Sequence, residues 1–188
     1  MPQNYTIIEL PGRSKFRIAT TDTDIPQDNT GGVKSPEWMV QMDDILASDV
    51  DDYNDYAELF GWYAESSRFT TGDISNSLFT SATLKHSDLV VLLPNGGFSA
   101  ILETRMNTGT PVDQLTIVRL GNIKAMKVEL QTIVYSNCRI QSFQQQLDRL
   151  ILQMSVTSKV NTIFVYDNDG QSQGQVVSSV DYSRNTAE

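Results

Sequence analysis

Cysteine and histidine each occur once in the 188 residues, at Cys138 and His86. A single cysteine excludes an intramolecular disulfide. Cys138 lies in an alternating apolar stretch and is expected to act as a small buried hydrophobe. Nothing ties His86 to it, so thiol-nucleophile chemistry is not expected. There is no histidine pair for zinc, no Walker-type glycine loop and no dinucleotide fingerprint. Gly96-Gly97 reads as an ordinary turn, because the rest of a phosphate motif is missing. The expectation is a protein without catalytic residues, cofactor or metal. Basic residues are scarce too. Fourteen Lys and Arg stand against 23 Asp and Glu, a net charge of −9, which argues against a phosphate-backbone partner. No apolar run is long enough to cross a bilayer, so membrane insertion is not expected. Met-Pro-Gln-Asn-Tyr-Thr at the start has neither a basic nor an apolar signal region. The expected location is therefore cytoplasmic, with any export left to a dedicated machine.

What is present is strand patterning. A hydrophobic content of 39% and a charged content of 20% fit a globular chain of one domain. From about 114 to 182 the sequence alternates polar with apolar residues. Met126, Val128, Leu130 and Val134 alternate with Lys127, Glu129 and Gln131, and Leu150, Leu152, Met154 and Val156 with Arg149, Gln153 and Ser155. Successive side chains on a strand point to opposite faces, so this pattern buries one face and wets the other. Strands are also expected over 5–10, 15–19, 81–93, 161–167 and 175–182. Asp167-Asn168-Asp169-Gly170 opens like a calcium loop, but Ser172 and Ser178 fall where that loop needs its glycine and its glutamate. A hairpin turn is the expectation there, since Asp-Gly tolerates positive φ.

Two helices are expected. One runs over 36–47, with Ser35 as N-cap, Pro36 in the first turn, and Trp38, Met42, Ile45 and Leu46 on one face. The other runs over 99–106 and closes near Gly109 and Pro111. Residues 52–65 fit a helical stripe through Tyr53, Tyr56, Ala57 and Phe60, or a strand through Tyr56, Glu58, Phe60 and Trp62. Composition over 59–64 leans towards strand. The acids Asp43, Asp44, Asp49, Asp51, Asp52, Asp55 and Glu58 crowd one region, read as a solvated flank or else as a partner or cation surface.

From Thr83 onwards the order of elements resembles the haemolysin-coregulated protein family, the tube-forming proteins of bacterial type VI secretion. Residues 99–107 match the short helix of that family and Val128-Glu129-Leu130 one of its strands. Val165-Tyr166-Asp167-Asn168-Asp169-Gly170, Gly174 and residues 177–185 match its closing turn, glycine, strand and tail. The likeness covers a little over half of the chain. The acidic region and the 36–47 helix depart from it, as an insertion at about 21–55 of a single domain spanning 1–188. Ser178-Ser179 stands where the family is glycine-rich.

The resemblance implies a mainly β fold, a β-barrel of two packed antiparallel sheets with one or two short helices. It also implies hexameric rings stacking into an expelled tube, with the chain itself, a contractile sheath, a spike and effector proteins as partners. The loop over 66–77 would then carry the ring-stacking contact through Arg68, Phe69, Thr70 and Thr71. Two other readings stay open: a tail-tube protein of a phage or other contractile injection particle, and a cytosolic β-sandwich binding module. The module would need a concave patch built from Tyr53, Tyr56, Phe60, Trp62 and Tyr63.

Overall fold

In the computed structural model, residues 5–8, 16–19, 37–48, 52–71, 81–123, 126–184 and 186–187 are described. Near the start, β1 (Tyr5–Ile8) and β2 (Phe16–Ala19) pair antiparallel as a sheet of their own. Then come β3 (Trp38–Met42), β4 (Ala57–Glu58) and β5 (Gly61–Tyr63). A second separate pair joins β6 (Ser66–Thr71) to β7 (Ser81–His86). β8 (Leu89–Pro94) leads into α1 (Ser99–Thr108), the one α-helix among the described residues. Four long strands follow: β9 (Val112–Ile123), β10 (Met126–Gln146), β11 (Arg149–Ser155) and β12 (Ser158–Tyr166). The described chain ends with β13 (Ser172–Asp181) and β14 (Thr186–Ala187).

β10 organises the molecule. Its 21 residues belong to two layers. Positions 126–138 pair with β9, and 131–136 also with β12 on the other side. Positions 139–146 pair instead with β11. Close to where the first stretch gives way to the second stands Asn137 at φ 50, a left-handed conformation that asparagine tolerates better than most residues. A register shift between Ile140 and Ser142 follows directly. A bend and a bulge are how a strand turns the corner from one packed sheet into another. One layer thus runs β4-β3-β9-β10-β12-β13-β14 and the other β10-β11-β8-β5.

The main core lies between these layers. Val40, Met42, Ile117, Ile133 and Tyr135 from the first meet Leu89, Val91, Leu93, Leu150, Leu152 and Met154 from the second, with Leu102 of α1 added. The run Leu89-Val-Val-Leu-Leu93 is continuously apolar because β8 is buried on both faces. Val90 and Leu92 pack on its far side with Ile151, Phe60 and Tyr63. The far side of the first layer is covered likewise, where Met39, Val118 and Leu120 meet Tyr53 and Tyr56.

Two expectations are corrected here. The sheets form an open sandwich and not a closed barrel: the strand order terminates at β5 on one side and β14 on the other, and no described pairing joins them. The helix expected over 36–47 is replaced by β3, which pairs antiparallel with β9 from Trp38↔Arg119 to Met42↔Leu115. Met39, Val40 and Met42 are all fully buried, so apolar residues are needed on both faces of the segment. One helical stripe cannot supply that, and the spacing of Trp38, Met42 and Ile45 is coincidental. β3 is accordingly a core strand rather than an added surface element. Residues 52–65 resolve as a turn followed by β4 and β5, and 81–93 as two strands.

The second helix forms as expected. Ser99 Oγ donates to Asn95 Oδ1 at 2.8 Å and accepts the Gly96 N–H at 3.2 Å, which fixes the entry to α1. Gly109 closes it at φ 70, and the Thr110 N–H reaches back to the Arg105 carbonyl at 3.0 Å.

Candidate functional site

The surface singled out from the sequence is the β6–β7 pair. Arg68, Phe69, Thr70 and Thr71 lie on β6 opposite Leu84, Thr83, Ala82 and Ser81 of β7. Residues 66–71, expected in a loop, are strand, and 72–77 lie outside the described residues. The base of the pair is tied to the body. The Glu65 N–H donates to Ser87 Oγ at 2.9 Å, and the Ser87 N–H to the Glu65 carbonyl at 2.8 Å. Ser66 Oγ lies 3.0 Å from the Tyr182 hydroxyl, on whose ring His86 stacks with centroids 4.0 Å apart. Tyr182 directly follows β13, so the last long strand anchors the foot of this hairpin.

The acidic region divides by role. Asp43, at φ 46, accepts Arg105 Nη1 on Oδ2 at 2.6 Å and the Gln114 N–H on Oδ1 at 3.1 Å. Arg105 also donates to the Pro111 carbonyl at 2.9 Å. Asp43 therefore latches the end of α1 and the start of β9 to the end of β3. Asp55 accepts a hydrogen bond from Gln41 of β3. Asp44 and Asp52 are exposed, while Asp49 and Asp51 lie outside the described residues. No group of acids, histidines or cysteines among the described residues is arranged to hold a metal ion. At the other turn, Asp167 Oδ1 accepts the N–H groups of Asp169 and Gln171 at 2.9 and 2.8 Å, which makes it a hairpin clasp.

The aromatic residues that a binding module would need are dispersed. Tyr53 and Tyr56 meet edge to face at 5.1 Å over the far side of the first layer. The Tyr53 hydroxyl donates to Glu129 Oε1 at 3.0 Å, and burial, then this bond, push its pKa well up. Phe60 and Tyr63 cover the far side of the second layer, and Trp62 joins Trp38 at 6.2 Å against the main core. They serve three different clusters. Cys138 is fully buried, and burial pushes its thiol up to about 12, so it behaves as the expected inert hydrophobe.

Sequence reasoning missed one surface. The ribbon of β12 and β13 carries Val160, Ile163, Val165, Val176 and Val177 exposed. The signal was adjacent valines at 176 and 177, which point to opposite faces, in a strand without charge from Ser172 to Val180.

With this geometry in hand, the comparisons are informative at the level of fold. A solved type six secretion system protein superposes with a TM-score of 0.71 at 12% identity, covering 82% of this chain and 100% of its own. Hcp1 from Salmonella typhimurium gives 0.63 at 15% identity, over 80% of this chain and 97% of that one. The secreted protein Hcp3 from Pseudomonas aeruginosa gives 0.54 at 13% identity, over 77% and 97%. The chain has the Hcp fold. No protein-family model matches the sequence, and no curated protein does. At such identity the likeness is one of fold alone. The Hcp-like part extends beyond the stretch from Thr83 onwards that the sequence resembled, since about four-fifths of the chain is covered.

Proposed function

We propose that this chain is a structural tube subunit of a type VI secretion system. It forms hexameric rings that stack into a tube, and the tube is expelled by a contractile sheath with effector proteins in its lumen. The observation that carries the reading is the Hcp fold, shared over nearly the whole length of proteins described as a type six secretion system protein and a type VI secretion system effector. The dispersal of Tyr53, Tyr56, Phe60, Trp62 and Tyr63 into separate packing clusters supports it over a binding module. The work is mechanical and recognitional, and needs no covalent step. Arg68, Phe69, Thr70 and Thr71, on a hairpin that pairs with no other described strand, are the proposed ring-stacking residues. Arginine and aromatic side chains contribute most where contact areas are small.

The protein starts in the cytoplasm and leaves through the secretion apparatus, with sheath and spike as further partners. The test is made in the bacterium that carries the gene. The protein should appear in the culture medium when the sheath is intact and be retained when the sheath cannot contract. Release that is indifferent to the sheath sinks the reading.

A further inference from the structure

Asn95-Gly96 is the one Asn-Gly pair of the sequence. A backbone nitrogen attacks the side-chain amide before it most readily at such a pair, because glycine puts no Cβ beside that nitrogen and leaves the backbone free to bend. Gly96 is exposed and Asn95 half-buried. Three elements hold the asparagine in place. It directly follows β8, and its N–H donates to the Asp148 carbonyl in the β10–β11 turn at 2.9 Å. Its side chain meets Ser99 of α1 and Gln145 near the end of β10.

The amide is surrounded by groups that suit its loss. Oδ1 accepts from Ser99 Oγ at 2.8 Å and from Gln145 Nε2 at 3.0 Å. Two donors on a carbonyl oxygen stabilise the charge that develops there when the carbon is attacked. Nδ2 reaches the Leu147 carbonyl at 3.5 Å, the limit of a hydrogen bond, so the leaving group is loosely held. That carbonyl can only accept, which fixes which way round the amide stands. The Gly96 N–H donates to the same Ser99 Oγ at 3.2 Å. Ser99, only 5% exposed, thus accepts from the attacking nitrogen and donates to the oxygen of the group attacked.

We propose that Asn95 deamidates within the folded protein, with Ser99 as proton relay, which makes the 95–96 pair a site of self-modification. The Gly96 nitrogen bonds to Asn95 Cγ and closes a ring through the Asn95 backbone. Its proton passes to Ser99 Oγ as the Ser99 proton passes to Oδ1, so the tetrahedral intermediate bears no net charge. The Cγ–Nδ2 bond then breaks. The proton on Oδ1 returns through Ser99 to the departing nitrogen, and ammonia leaves a succinimide behind. Water adds to a ring carbonyl and opens it to aspartate or its β-linked isomer. Nothing is oxidised or reduced.

The surroundings also favour the product. A carboxylate accepts from Ser99 and Gln145 more strongly than an amide oxygen does. It stands just ahead of α1, whose first turn contains no acid. Each modified chain gains a negative charge between α1 and the β10–β11 turn, a mark of the time since it folded. The inference does not depend on the tube reading.

The test follows ammonia release and locates the new carboxylate by peptide mapping. It compares the native chain with the same chain unfolded in urea at equal pH and temperature. Position 95 should react at least about tenfold faster folded than unfolded, since folding holds the reacting groups together. Ser99→Ala should slow the folded reaction about a hundredfold, and Ser99→Thr, which keeps the hydroxyl, should restore it. Gln145→Ala, at an exposed position, should slow it at least about tenfold with circular dichroism unchanged. A folded chain that reacts no faster than the unfolded one overturns the inference. So does a fast reaction that neither Ser99→Ala nor Gln145→Ala slows.

Discussion

Tyr135 carries a hydroxyl into the core that finds no hydrogen-bond partner among the described residues, although the side chain is fully buried. An unpartnered buried hydroxyl costs free energy that its removal returns. Tyr135→Phe should therefore be neutral or raise stability by about 1 kcal/mol, read from the urea midpoint. A loss above that size would mean that the hydroxyl has a partner. Asp43 is the opposite case, since both its carboxylate oxygens accept hydrogen bonds and its backbone is left-handed. Asp43→Ala should cost about 2–3 kcal/mol, while Asp43→Asn keeps the backbone preference and should cost less. Equal losses in the two variants would contradict that reasoning.

Cys138 gives a pH dependence. Its thiol pKa is raised from 9.0 to about 12 by burial, so the folded state holds a proton that the unfolded chain gives up first. The stabilisation is complete below pH 9 and is lost as pH climbs from 9 towards 12. Burial lowers the pKa of Lys159, which acts in the opposite sense as pH rises, so the comparison must be with a variant. Cys138→Ala should show a shallower alkaline loss in urea midpoint than the native chain. Parallel slopes would remove the thiol from the account.

At the level of elements, the corner in β10 is the feature on which both layers depend. Asn137→Gly should stay within about 1 kcal/mol of the native chain, whereas Asn137→Val places a β-branched residue at positive φ and should cost about 1–3 kcal/mol. Unfolding midpoints check this directly, and a tolerated valine would show that the bend does not need the left-handed residue. How much of this was legible varies with the physics of each element. α1 could be read because its signals are local: Ser99 at its start, Gly109 and Pro111 at its end. The alternation in β10 and β11 was visible because each of these two strands turns one face to the main core. β3 was not, because Met39 and Val40 are buried on opposite faces by partners far away in sequence, Val118 on one side and Ile117 with the core on the other. The double membership of β10 was equally hidden. Alternation states that a strand has two faces and is silent about which neighbours it pairs with.

For the molecule as a whole, the fold was within reach of the sequence, while the stacking surface remains a proposal. The order strand, short helix, long strands, Asp/Gly turn was enough to suggest the Hcp proteins, and the shared fold over about 80% of the chain agrees. The expectation of a closed barrel failed because closure depends on whether terminal strands meet, which no local pattern encodes. The segment bearing Arg68 and Phe69 was singled out, as a loop, by the family resemblance; it lies on a hairpin held at its foot by Ser66, His86 and Tyr182. Arg68→Ala with Phe69→Ala should abolish stacking of rings in electron micrographs while single rings persist. Native filament lengths in that variant would exclude the hairpin from the stacking contact.

The central claim is that this chain is built to assemble into rings, and native mass spectrometry of the purified protein tests it most directly. The account predicts a dominant species with the mass of six chains, present at micromolar concentration and dissociating on dilution. A single-chain mass throughout the accessible concentration range would contradict it.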